Sequence, residues 1–328
     1  MMNLDAIKSF IDKLNAENSA EWYDSLGNYN VQIGEGLLEE YLESHKCKIV
    51  ASSFLDIKPV DIENFHQIVT IGGFQVHNQG KYEAQKQKIE LTTIPIPLSN
   101  DSFGTNRYSV TDNEQSPSTK SVYPRRTIFD LKELTKIGFR HSINGVGEFI
   151  GLYFSIIDYA VKDDRQPDME CLAYIIDKFY ELLQLHNNGN ERETLRCIAN
   201  LLIIKCLIMR TSEDYRIACG IDHSIARIFE REQNMPHGKA VYIGCLITCL
   251  LLPEWEKWGL SLSALQDMGQ KFGLLKKGDI DSLRQTSIRQ LVLEAINIRK
   301  DRKTMLQRLT VSQLDAAQRK LEDLKWVL

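Results

Sequence analysis

Residues 212–244 read SEDYRIACGIDHSIARIFEREQNMPHGKAVYIG, two helical apolar patterns that each carry a histidine, His223 and His237, where the pattern would take a leucine. A single histidine on such a face is ordinarily a core residue whose two ring nitrogens are satisfied by hydrogen bonds. Two of them, each beside a small or acidic neighbour (Asp222 and Gly238), point to a shared role.

The rest of the chain limits what that role can be. A sequence of 328 residues with 43% hydrophobic content is long enough for two domains and a large core. A formal charge of -4 gives no electrostatic footprint for nucleic acid or an anionic membrane surface. The first residues, MMNLDAIKSFIDKLNAENSAEW, mix charged and apolar positions at helical spacing, unlike a signal peptide. The longest apolar runs, LLIIKCLIM and VYIGCLITCLLL, fall short of the roughly 20 residues that span a bilayer. Seven cysteines without a CxxC pair fit reduced usage. The expectation is a cytoplasmic protein that acts on a small molecule, with no nucleic-acid or membrane partner and with room for assembly into a homo-oligomer.

Texture changes near residue 111. Before it, the β-like runs NVQIG, KIVASS, QIVTIGG and IELTTIPI alternate with the helical stretches LLEEYLESH and KYEAQKQ, the mark of βαβ units on a parallel sheet. After the polar stretch TDNEQSPSTKSVYPRR, apolar residues recur at three and four spacing through GEFIGLYFSIIDYAV, ECLAYIIDKFYELLQLH and RETLRCIANLLIIKCLIM. The pattern predicts an α/β domain over residues 1–111 and an all-α domain over 112–328. The basic run near the end, SIRQLVLEAINIRKDRKTMLQRL, reads as a solvated helix face.

Two loops of the first domain are suited to ligands. Gly72 and Gly73 end a β-run and lead into a helix, a geometry that lets backbone N–H groups approach a phosphate, although a plain tight turn reads the same way. Ser99, Asn100 and Asp101 close the next strand, at the carboxyl end where parallel sheets bind ligands; turn chemistry also accounts for them.

These segments together resemble the glycerol-1-phosphate dehydrogenase branch of the iron-type alcohol dehydrogenase and dehydroquinate synthase superfamily. The family's Gly-Gly-Gly-x-x-x-Asp-x-x-Lys loop is matched from Gly72 to Lys81, with Phe74 for the third glycine and Asn78 for the aspartate. Its Pro-Thr-x-x-Ser-Asn-Asp strand end is matched from Pro95 to Asp101, with Ile96 for threonine. Gly145-Val146-Gly147-Glu148 is similar to the family's Gly-x-Gly-Asp; Arg216 to His223 resembles Arg-Pro-Ala-Ser-Gly-Ala-Glu-His; and Pro236 to Gly244 resembles Leu-His-Gly-Glu-x-Val-x-Ile-Gly.

The resemblance implies a dehydroquinate synthase-like fold: a truncated Rossmann-like parallel sheet followed by the helical domain. It implies a divalent metal held by Glu148, His223 and His237, with zinc expected first and nickel or iron as alternatives. It also implies NAD or NADP at Gly72, Gly73, Asn78, Lys81, Ser99, Asn100 and Asp101. The function so implied is a metal-dependent, NAD(P)-linked oxidoreductase acting on a small phosphorylated or polyol substrate. Arg227, one turn beyond His223, and Lys239, two residues beyond His237, are the candidate partners for a substrate phosphate, with solvation or pairing to Glu230 or Glu232 as the alternative for both.

Departures from the pattern keep two alternatives open. Glutamate rather than aspartate at 148 is also found in the dehydroquinate synthase branch, whose members are sugar-phosphate cyclases. The lysine that follows the first ligand by a turn is replaced by Gly151 or Leu152, and a second histidine by Arg227. Phe74 sets a bulky ring where the family's pyrophosphate passes bare backbone. Only about 14 residues separate KIVASS from QIVTIGG, where the family has a further βαβ unit. A catalytically reduced homologue serving as a binding module fits those last two features.

Overall fold

The computed structural model describes residues 3–53, 55, 65–108, 119–212, 214–298, 300 and 303–324. Its elements run α1 (Leu4–Glu17), β1 (Ser19–Asp24), β2 (Gly27–Gly34), α2 (Leu37–Ser44), β3 (Lys48–Ala51), β4 (Gln67–Gly72), α3 (Phe74–Gln87), β5 (Glu90–Pro95), β6 (Arg107–Tyr108), β7 (Thr119–Lys120) and β8 (Arg126–Asp130). From there the chain is helical: α4 (Leu131–Lys136), α5 (Phe139–Ser142), α6 (Asn144–Val161), α7 (Met169–Asn187), α8 (Glu191–Ser212), α9 (Ile221–Gln233), α10 (His237–Leu251), α11 (Leu262–Lys271), α12 (Lys277–Leu283), α13 (Ile288–Ile298) and α14 (Val311–Glu322).

Six strands form one sheet in the order β1-β2-β8-β5-β4-β3, parallel throughout except for the antiparallel β1–β2 hairpin at one edge. In β4, every residue from Ile68 to Gly72 is buried, as expected of an interior strand covered on both faces. Helix α3 packs beside it, and Gly80 allows the approach: a Cβ there would lie 2.0 Å from Thr70 Cγ2.

The chain forms two compact units, and their division differs from the one expected. The expected boundary at 111/112 lies outside the described residues. One unit comprises residues 1–145 and 191–213; the other comprises 146–190 and 214–328. Two elements expected in the helical domain therefore lie with the sheet. Strand β8 inserts between β2 and β5, and its sequence RTIFD is too short to interrupt a helical reading. Helix α8 is apolar on nearly every side, so it reads as a bundle helix, yet it packs on α1, α4 and α5. Its buried Lys205 pairs with Asp101 at 3.2 Å and its buried Arg210 with Asp24 at 2.6 Å. Among the described residues, the second unit contains helices and no strand.

Candidate metal centre

Glu148, His223 and His237 all lie in the helical unit, on α6, α9 and α10, and they converge. Glu148 Oε2 is 2.9 Å from His237 Nε2, and Glu148 Oε1 is 3.5 Å from His223 Nε2. One donor atom from each residue falls within 4.8 Å of the others. Two donors bound to one ion at about 2.0–2.2 Å stand roughly 3.3–3.6 Å apart in a tetrahedron, so the cluster is of a size to close on a single cation.

Close helix packing creates this convergence, and glycine permits it. A Cβ on Gly147 would lie 1.9 Å from the Gly238 carbonyl oxygen, one on Gly244 would lie 2.3 Å from that of Asp222, and one on Gly151 would lie 3.2 Å from His223 Cε1. Glu148 is buried, only 1% exposed.

The far side of each imidazole is also engaged. His223 Nδ1 donates to Asp222 Oδ2 at 2.5 Å, and Asp222 Oδ1 accepts from Ser155 Oγ at 3.0 Å. His237 Nδ1 makes a short hydrogen bond to Glu230 Oε1, while Glu230 Oε2 receives Arg227 Nη1 at 3.0 Å. A carboxylate on Nδ1 holds the proton there and fixes the tautomer whose Nε2 lone pair faces the cluster. Burial disfavours charge on His237, but the Glu148 and Glu230 carboxylates outweigh it and push its pKa up to about 9. A proton and a cation are therefore alternatives at its Nε2.

One turn beyond Ser155, Asp158 is 2% exposed and accepts from the Met305 N–H at 2.8 Å. Burial raises its pKa to about 7, with repulsion from Asp222 adding to the effect. The folded chain then keeps a proton that the unfolded chain loses near pH 4, so stability falls as pH rises from about 4 to about 7, by on the order of 4 kcal/mol. Asp158→Asn keeps an acceptor for Met305 and removes the ionisation. Its unfolding free energy, measured against urea, should gain on the wild type across that window; parallel pH profiles would refute the assignment.

The residues expected to touch a dinucleotide lie in the sheet unit. Gly72 has φ +154°, and a Cβ there would lie 2.2 Å from Ser52 Oγ, so glycine is required. Gly73 caps the 14-residue α3 and a Cβ on it would meet nothing within 4 Å, which leaves the helix N-terminus open; Phe74 follows, 36% exposed. Asn78 is buried with neither amide atom hydrogen-bonded among the described residues. Lys81 is fully buried, and its ammonium donates to Thr105 Oγ1 at 3.0 Å and the Arg107 carbonyl at 2.8 Å. Asn100 accepts from the Ser102 N–H at 2.9 Å and donates to Ser99 Oγ at 3.0 Å, while the Asp101 carboxylate faces Lys205. Lys81 and Asp101 thus brace loops of the sheet unit.

The two basic residues expected to meet a phosphate already have acidic partners. Arg227 pairs with Glu230, and Lys239 Nζ with Asp279 Oδ1 at 2.8 Å. The sequence marks Asp222 only as the neighbour of His223 and Glu230 only as a possible partner of Arg227 or Lys239, and it does not mark Ser155. The available signals were the position of Asp222 beside His223 and two-turn spacings: Glu230 from His223, and Ser155 from Glu148.

No family model matches the chain. In sequence it is similar to the glycerol-1-phosphate dehydrogenase [NAD(P)+] of Methanosarcina acetivorans, 22% identical over 247 residues that cover 73% of this chain and 67% of that protein. The enzyme of the same name from Saccharolobus islandicus is 24% identical over 293 residues, 85% of this chain and 82% of that one. In structure it is similar to a probable glycerol dehydrogenase from Sinorhizobium meliloti, with a TM-score of 0.64 at 14% identity over 89% of this chain and 96% of that one. An iron-containing alcohol dehydrogenase from Thermotoga maritima gives 0.56 at 14% identity over 90% and 98%. The chain has the dehydroquinate synthase-like fold of the iron-type alcohol dehydrogenases, and its sequence resembles the glycerol-1-phosphate dehydrogenases.

Proposed function

We propose that the protein is a metal-dependent, NAD(P)-linked oxidoreductase of the glycerol-1-phosphate dehydrogenase type. The observation that carries this reading is the convergence of Glu148, His223 and His237 with each imidazole backed by a carboxylate, in a chain whose relatives are named for NAD(P)-dependent alcohol oxidation. Glu148, His223 and His237 would hold one divalent ion, with zinc expected before nickel or iron from the nitrogen and oxygen donor set. Bound there, the ion supplies Lewis acidity that lowers the pKa of a substrate hydroxyl and prepares its carbon for hydride transfer.

The chain's own residues bind and orient. The open N-terminus of α3 at Gly73 offers backbone N–H groups and the positive end of the helix dipole to a pyrophosphate. Asn78, with its buried amide free to pair, and Ser99 and Asn100 would complete the nucleotide contacts, while Lys81 and Asp101 steady the loops behind them. A small phosphorylated substrate would take its phosphate contact from Arg227 or Lys239 only by exchanging Glu230 or Asp279 for the phosphate. The setting we propose is cytoplasmic; among the described residues no helix is long and apolar enough to cross a membrane.

Titration of NADH and NADPH against the metal-loaded protein tests the reading, followed by NAD(P)H oxidation with dihydroxyacetone phosphate, the ketone of glycerol 1-phosphate. Saturable nucleotide binding and loss of nicotinamide absorbance are expected. Phe74→Gly should tighten binding by removing the ring from the first turn of α3. Absence of nucleotide binding by both the wild type and Phe74→Gly would overturn the oxidoreductase reading and leave a binding module.

A further inference from the structure

We infer that Asp222 and Glu230 are positioning residues that set how tightly the helical unit holds its ion, and that Asp222, locked by Ser155, is the stronger of the two. The inference rests on the metal-centre reading of Glu148, His223 and His237, and it concerns side chains that would never touch the ion.

The two carboxylates occupy the same place relative to different histidines, but they are held differently. Asp222 is fully buried. Its Oδ2 faces His223 Nδ1 at 2.5 Å, and its Oδ1 accepts from Ser155 Oγ at 3.0 Å. Ser155 in turn accepts from the Gly220 N–H at 2.8 Å, which ties the start of α9 to α6. The Asp222 backbone sits against Gly244 of α10, and its carboxylate lies against Gly151, where a Cβ would stand 2.7 Å from Oδ2. Three helices therefore fix one carboxylate, which fixes one imidazole. Glu230 is less confined: its side chain is 18% exposed, and its second oxygen is shared with Arg227, itself 37% exposed.

A charge close to a ligand raises that ligand's basicity, and the effect is greater where water is excluded. Loss of an outer-shell partner typically weakens metal affinity by about 10- to 100-fold. Asp222→Asn keeps the shape and an acceptor for His223 while removing the charge, so its effect should fall in the upper part of that range. Glu230→Gln should fall in the lower part, about 10-fold. Ser155→Ala frees Asp222 to turn and should weaken binding by several-fold without changing any charge.

The test uses the full chain and Co²⁺, whose dissociation constant is measured by competition with a chelator and whose visible d–d spectrum reports coordination geometry. The expected order of weakening is Asp222→Asn, then Glu230→Gln, with altered spectra and with metal-free melting temperatures close to the wild type. A merely structural role would lower melting temperatures and leave affinity and spectrum unmoved. Affinities within twofold of the wild type and unchanged spectra in these variants would overturn the inference while leaving the metal centre intact. A wild type that binds no Co²⁺ would overturn the metal-centre reading as well, a distinct result. Should Asp222→Asn not fold, Ser155→Ala and Glu230→Gln decide the question on the same readings.

Discussion

Glu148→Ala is expected to abolish divalent-ion binding, and with it the proposed NAD(P)H oxidation. Glu148 supplies the cluster's one carboxylate, at 2.9 Å from His237 and 3.5 Å from His223, and without it only two neutral donors remain to hold an ion. The loss should exceed the roughly 100-fold upper range of outer-shell changes, because a direct donor is removed rather than tuned. Chelator competition measures it. Binding within tenfold of the wild type in a folded Glu148→Ala chain would show that the ion, if any, is held elsewhere.

Gly147→Ala should be among the most destabilising single-methyl changes in the helical unit. The added Cβ would lie 1.9 Å from the Gly238 carbonyl oxygen and 2.7 Å from the Gly238 carbonyl carbon, both backbone atoms that no rotamer change can move. Ordinary overpacking costs about 1–3 kcal/mol, and a backbone clash belongs at or above its upper end. At roughly 3 kcal/mol the melting temperature drops by about 6–12 °C for a unit of this size. Because α6 and α10 must separate to admit the methyl group, Glu148 and His237 separate too, so metal affinity should fall in the same variant. A melting temperature within 2–3 °C of the wild type, roughly the shift that a 1 kcal/mol change produces, would contradict this account of the packing.

Much of this arrangement is legible in the sequence, and the parts that are not share a physical cause. The runs NVQIG, KIVASS, QIVTIGG and IELTTIPI coincide with β2 to β5, because short β-rich runs between helical stretches leave few other readings. The three metal-ligand candidates were legible through motifs on three separate helices. Strand β8 and helix α8 were assigned to the wrong unit because membership of a unit is decided by tertiary partners, which periodicity does not report. The same holds for Lys205 and Arg210, charged residues inside an apolar helix whose acidic partners lie more than 100 positions away in the chain. For Arg227 the pairing with Glu230 is one of the readings the sequence leaves open, because the two lie three positions apart on one helix; for Lys239 only the fold reveals its partner Asp279, 40 positions away.

The central claim is that Glu148, His223 and His237 hold one divalent ion. X-ray absorption at the metal edge of the zinc- or cobalt-loaded full chain, combined with metal analysis, tests it most directly. The account predicts one ion per chain, with nitrogen and oxygen donors at about 2.0–2.2 Å and an imidazole scattering signature that is lost in His223→Ala and in His237→Ala. No bound ion, or a spectrum unchanged by either histidine replacement, would contradict it.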